Sequence, residues 1–174
     1  MNLESIQSAM DKMIEEIKKP DPPIPMILAD QSSLPSSYPY GVYKILELNQ
    51  DSFGSASRRI ESIDSAHYKE TSRITQSISL NVKFLHDSSI ATCWELSEKA
   101  MSWFDSKEGM IECESFSITP VLISPKIQDQ TFLTASLTYE YRTSFDIIFK
   151  LRKYSEKQGE STASAPTVEY QEEA

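Results

Sequence analysis

Glycine, cysteine and histidine are all scarce in this 174-residue chain, which has 4, 2 and 2 of them. Gly41, Gly54, Gly109 and Gly159 are too dispersed to form a phosphate-cradling loop, and no P-loop or dinucleotide fingerprint occurs. Cys93 and Cys113 are too few for a disulfide scaffold, so reduced and buried thiols are expected. Cys93 follows His86, but it falls on the apolar face of an expected helix. A nucleophilic thiol needs an electropositive, accessible setting instead. His86 itself is placed for a turn or capping role between a strand and that helix. No Cys, His or carboxylate set has metal-ligand spacing. The expectation is a protein with no enzymatic activity and no cofactor.

Long hydrophobic runs are also missing. None approaches the roughly 18 residues that a membrane helix requires. The opening Met-Asn-Leu-Glu-Ser lacks the basic flank and apolar block of a signal peptide, so no membrane association or export is expected. Basic residues are the last deficit, with 17 Lys and Arg against 26 Asp and Glu and a net charge of -9. Nucleic-acid affinity rests on Lys and Arg displacing counterions, so tight binding is disfavoured. A surface that DNA slides past without sticking remains compatible.

What is present is, above all, one strand. From Ser72 to Phe84, Ile74, Ile78, Leu80, Val82 and Phe84 share a parity broken only by Gln76, and polar residues take the other. Such alternation marks a strand with one dry and one wet face. Before it, Leu3, Ile6, Met10, Met13, Ile14 and Ile17 form the stripe of an amphipathic helix over 3–18, stopped by Pro20, Pro22, Pro23 and Pro25. Met26–Asp30 reads as a short strand, 31–39 as a proline-marked loop, and Tyr40–Leu48 as a strand partly buried on both faces. After the central strand, Asp87-Ser88-Ser89 offers N-cap chemistry for a second helix to about Phe104. Its expected core face is Ile90, Cys93, Trp94, Ser97, Met101 and Phe104, widened by Leu96, Ala100 and Trp103. Gly109 suits a turn. Met110–Ser124 alternates like a strand, which Pro120 confines to an edge or a bend. Leu133–Leu151 reads as a last long strand with a kink near its middle.

Two segments stand apart. Residues 49–70 are long and polar for a connection between strands, where loops beyond about 12 to 15 residues are usually functional or disordered. They are expected to form a hairpin arm that projects from the body. Arg58-Arg59 is the one adjacent arginine pair in the chain, and on an exposed arm it suits docking against an acidic surface. Phe53, Ile60, His67 and Tyr68 complete the candidate interface set. From Ser155 onward apolar content collapses, so 155–174 is expected to be a disordered acidic tail following a single domain over 1–154. The fold class expected is α+β: a mixed, largely antiparallel sheet of four to five strands, with two helices on one face plus the arm.

This order of elements resembles the neck or tail terminator proteins of long-tailed bacteriophages. The likeness is carried by Pro39-Tyr40-Gly41-Val42-Tyr43 opening a strand, by Gln76 to Phe84 leading into a helix, and by Arg142 to Phe149 closing the sheet. It covers about residues 3 to 152. The resemblance implies a virion protein assembled in the host cytoplasm as a ring, usually hexameric, at the head-proximal end of the tail. Its implied partners are further copies of itself, the tail tube protein, the sheath, and neck proteins below the portal, with DNA passing through the lumen unbound. The alternatives are another phage connector, such as a stopper or tube-like protein, and a small α+β hydrolase or ligand-binding domain.

Overall fold

The alternating stretch lies within a strand of 20 residues, β4 (His67–His86). At about 3.3 Å per residue it is about 66 Å long. In this computed structural model, which describes residues 3–19, 21–30, 37–50, 57–62, 67–122 and 125–160, β4 is the spine of the sheet. The other elements, in chain order, are α1 (Leu3–Lys18), β1 (Met26–Leu28), β2 (Tyr40–Gln50), β3 (Ser57–Ser62), α2 (Ile90–Asp105), α3 (Lys107–Ser115), β5 (Ile118–Val121), β6 (Gln128–Asp129), β7 (Phe132–Leu133) and β8 (Tyr139–Glu160). The fold is α+β, with strand order β1-β2-β4-β8-β5. Only β1 with β2 is parallel; the other pairs are antiparallel.

The parity read from the sequence holds. Ile78, Leu80, Val82 and Phe84 are fully buried, and Phe145, Ile147 and Phe149 of β8 line up beside them. Over this face lie three helices rather than the expected two. From α1 come Ile6, Ala9, Met10, Met13 and Ile14; from α2 come Cys93, Leu96, Ser97, Ala100, Trp103 and Phe104. Ser97 Oγ meets Thr143 Oγ1 at 2.7 Å, and Thr143 Oγ1 donates to the Cys93 carbonyl at 2.9 Å. This satisfied buried pair sets the register of α2 on β8, because an unpartnered hydroxyl there would be costly. Ser89 caps α2 as expected, accepting from the Thr92 amide at 3.2 Å.

The buried arc of α2 is rotated from the expected one. Trp94 is exposed and Met101 half-buried, and both line a groove with Pro125 and Ile127 instead of covering β4. A helix wedged against α1 as well as the sheet buries two flanks, so the stripe read for one flank is displaced.

Residues 107–115, expected to turn at Gly109 and start a strand, form α3. Ser106 Oγ donates to the Trp103 carbonyl at 2.8 Å and accepts from the Gly109 amide at 3.0 Å, closing α2 and opening α3 with one side chain. Gly109 lies inside this first turn, where a Cβ would sit 2.0 Å from the Trp103 oxygen. The helix ends at Ser115, with Phe116 as its C-cap and Ser117 beyond it at a left-handed φ of 62°. Strand structure begins only at Ile118, and Pro120 does fall on an edge strand. Gly41 answers a different need: a Cβ there would lie 2.3 Å from Met26 Sδ, so its absence lets β1 close on β2.

The last strand departs from expectation at both ends. Residues 133–138 belong to the β7–β8 hairpin, and β8 starts at Tyr139. It pairs with β4 from His86↔Tyr141 to His67↔Glu160 without a register shift, so the expected kink has no counterpart in the ladder. Residues 155–160, expected to begin the acidic tail, are the end of β8. Pairing with β4 satisfies their backbone groups even though they bury little side chain. Residues 161–174 lie outside the described residues.

Candidate functional site

The polar segment around 49–70 is built into the sheet as the outer part of a three-stranded ribbon. β2 follows one edge of β4 from Leu85 down to Gln76, and β3 then continues along that same edge from Arg73 to Tyr68. On the opposite edge runs the end of β8. No described residue of β4 before Ile78 is buried, so this end of the ribbon carries no core. Nine residues from His67 to Thr75 extend it about 30 Å at strand rise. The arm is therefore a β-ribbon braced on both edges. The sequence reading missed the contribution of β8, because a polar strand end looks compositionally like a tail.

Most of the candidate interface residues converge on this ribbon. Register places Arg58 opposite Ser72, Arg59 opposite Thr71, Ile60 opposite Glu70, and Ser62 opposite Tyr68. Arg59 Nε pairs with Glu61 at 2.7 Å, with the Arg59 side chain 80% exposed. Ile60 is 67% exposed on the other face, a large apolar side chain with no role in the core. His67 is exposed and Tyr68 half-buried. Lys69 and Glu156 pair across β4 and β8 at 3.0 Å. Phe53 and the side chain of Arg58 lie outside the described residues. Even-numbered positions of β4 share the helix-bearing face, so Ile60, beside Glu70, continues that face outward.

The opposite end of the sheet has a different chemistry, which the sequence reading did not single out. There the β7–β8 hairpin turns through Thr134–Thr138, with Leu137 at φ 59° and the Thr134 amide donating to the Thr138 carbonyl at 2.9 Å. Phe132, Leu133, Leu137 and Tyr139 are all exposed on it. Behind them Arg142 pairs with Glu140 and lies 3.9 Å over the Phe132 ring, and the Tyr38 hydroxyl donates to Glu140 at 2.8 Å. Burial, helped by the Glu140 carboxylate, raises the Tyr38 phenol above its ordinary range. The readable signal was Phe-Leu and Tyr-Glu-Tyr flanking a short Thr/Ser turn.

Little in the described residues supports covalent chemistry. Burial pushes the Cys93 thiol up to about 11 and the Cys113 thiol up to about 12. Such thiols hold their protons and are poor nucleophiles. His86 Nδ1 accepts from the Ser88 amide at 3.0 Å, which organises the turn into α2. Among the described residues no group of His, Cys, Asp and Glu is arranged to hold a metal ion. No described helix is long and apolar enough to cross a membrane.

The helix layer carries a concavity of its own. A groove of about 730 Å³ between α1, α2 and α3 has Ile17 and Trp103 in its lining, with Glu16, Glu98, Glu108 and Glu112 around them and one cation, Lys99, which is paired with Glu95 at 2.6 Å. Lys12 and Lys19 pair with Glu16 at 3.2 and 2.8 Å and hold its carboxyl below the usual range. The other three glutamates have no ion-pair partner among the described residues.

Comparison with known proteins gives the functional frame. A search of curated proteins returned no match. Among solved structures, the chain is similar to the sheath/tube terminator of an extracellular contractile injection system, PVC, in its extended state, determined by cryo-EM. Identity is 9% and the TM-score 0.46, over 100% of this chain and 64% of that one. The chain thus spans 64% of the length of that relative. A family model, that of the phage neck terminator protein, matches residues 5–172. With nearly its whole length matched, this chain belongs to the phage neck terminator protein family.

Proposed function

We propose that copies of this chain assemble head-to-tail into a closed ring, six-membered, at the head-proximal end of a phage tail, where the ring stops the tail tube and joins it to the neck. The observation that carries this reading is the family match over residues 5–172. The shape of the subunit supports it. A ring needs two different surfaces on one subunit, and this chain carries unlike features at the two ends of its sheet. The ribbon arm is polar and charged, whereas the β7–β8 hairpin is apolar. The tail tube protein, the sheath where the tail contracts, and the neck proteins are the proposed partners. Assembly takes place in the host cytoplasm and ends in the virion. A net charge of -9 suits a lumen through which DNA passes without sticking.

Within this reading the arm sets the register between neighbours, through Arg58, Arg59 and Ile60. Exposed ion pairs contribute about 0 to 1 kcal/mol each, but closure repeats the same contact at every interface. Particles made without the protein should show tails of abnormal length, or heads and tails left unjoined. In the purified protein, Arg58→Glu with Arg59→Glu should leave the monomer's circular dichroism and melting unchanged while ring formation or tube attachment fails. Normal particles in the first experiment would remove the terminator role. Normal rings in the second would remove the arm's role in assembly.

A further inference from the structure

The groove between the helices and the arm are complementary, and from this we propose that the groove is the receptor for the arm of the next copy. The inference rests on the ring reading, and it names the two surfaces that meet. Charge is divided unevenly between them. The three helices hold ten Asp and Glu against four Lys, a local balance of about -6. Over 57–62, 67–75 and 152–160 the arm holds seven Lys and Arg against four Glu, about +3 in a protein that is -9 overall. This positive element therefore belongs to the same chain as the acidic groove. Their attraction is heterologous, as a ring requires.

Apolar complementarity points the same way. Ile60 stands 67% exposed on the arm, and the groove lining offers Ile17 and the flank of Trp103. An aliphatic side chain seated beside a tryptophan, with charges at the rim, is the usual anatomy of an interface hot spot. Three of the four rim carboxylates have no partner among the described residues, so an incoming guanidinium or ammonium meets free acceptors. Arg59 need only exchange its exposed Glu61 for one of them. The arm cannot serve its own groove, because its strands continue the sheet away from the helix layer; a reach of about 30 Å suits a neighbour.

Cross-linking reads the contact directly. Ile60→Cys and Ser102→Cys place thiols on the arm and in the groove lining, while Cys93 and Cys113 are buried. With a short bis-maleimide, the double variant should give a ladder of oligomers, and a mixture of the two single variants should give dimers alone. Glu98→Lys with Glu108→Lys and Glu112→Lys should convert rings to monomers in native mass spectrometry. Adding Arg58→Glu and Arg59→Glu on the same chain should restore them. Wild-type rings without the cross-link, or rings untouched by the groove reversal, would overturn the proposal. So would an arm reversal that abolishes retention on duplex DNA but leaves rings intact, which would make the arm a nucleic-acid contact. Should the wild type form no ring at any concentration, the ring reading fails. The mixed single variants then still decide the arm–groove contact: a dimer product supports it and none overturns it.

Discussion

Replacing Leu80 by alanine tests the packing logic of the whole sheet. Leu80 is fully buried at the centre of β4, opposite Ile45 on β2 and Ile147 on β8, under the helices. Its neighbours Ser79 and Asn81 point to the other face, where Asn81 Nδ2 donates to Asp146 Oδ1 at 2.7 Å in an exposed contact. Truncating a buried leucine removes its transfer free energy and leaves a cavity that a β-sheet cannot easily collapse, so Leu80→Ala should cost about 2 to 5 kcal/mol. Ser79→Ala should stay within about 0.5 kcal/mol, the scale of surface changes. Urea unfolding followed by circular dichroism separates the two. With a slope of about 2 kcal/mol per molar, Leu80→Ala should lower the midpoint by about 1 to 2.5 M at unchanged slope. The comparison belongs at one protein concentration, because assembly adds stability by mass action. Equal sensitivity at Leu80 and Ser79 would mean that both faces are buried, and the one-sided sheet would be wrong.

Other consequences are equally direct. Removing residues 161–174 should change stability by less than about 0.5 kcal/mol. Removing 155–174 should strip the outer strand of the arm, so amides of His67–Ser72 that face β8 should exchange faster with little change in the core; unchanged exchange would show that this pairing does not hold in solution. Gly109→Ala puts a Cβ against the Trp103 carbonyl and should cost about 1 to 3 kcal/mol, visible as a lowered melting temperature. The thiols of Cys93 and Cys113 should resist iodoacetamide at pH 8 in the native protein and react in urea, and rapid native alkylation would contradict their burial. Their raised values also carry a sign. Below about 9, the ordinary thiol value, both states keep the proton and nothing changes. As pH climbs from there towards 11 to 12 only the unfolded state loses it, so this contribution to stability falls with rising pH. Cys93→Ala with Cys113→Ala should flatten that part of the melting profile.

Much of the architecture was legible because it is written in local periodicity. The two-residue alternation of Ile78, Leu80, Val82 and Phe84 needs no partner to be recognised, and burial follows it residue by residue. The stripe of α1 and the Ser89 cap are likewise local signals, as is the confinement of Pro120 to an edge. The absence of nucleotide and metal motifs could be read at the same level. Arg58 and Arg59 stood out as an adjacent arginine pair in an acidic chain, but nothing local said what their segment pairs with.

Tertiary structure decided the rest, wherever two distant segments had to meet. Residues 155–160 are polar, and composition alone assigns them to a tail; the unpaired edge of β4 at His67–Ser72 makes them a strand, since backbone hydrogen bonds ignore side-chain hydropathy. Residues 107–115 alternate weakly enough to suit either helix or strand, and Ser106, shared as a cap between α2 and α3, resolves the ambiguity. Trp94 left the core because α2 is wedged between α1 and the sheet, a constraint that no single helix encodes. The acidic groove is likewise made by bringing α1 against the consecutive helices α2 and α3, each unremarkable in charge by itself. Periodicity fixes which way a side chain points along its own element; which element stands opposite depends on long-range packing, and that is where the arm and its complement are made.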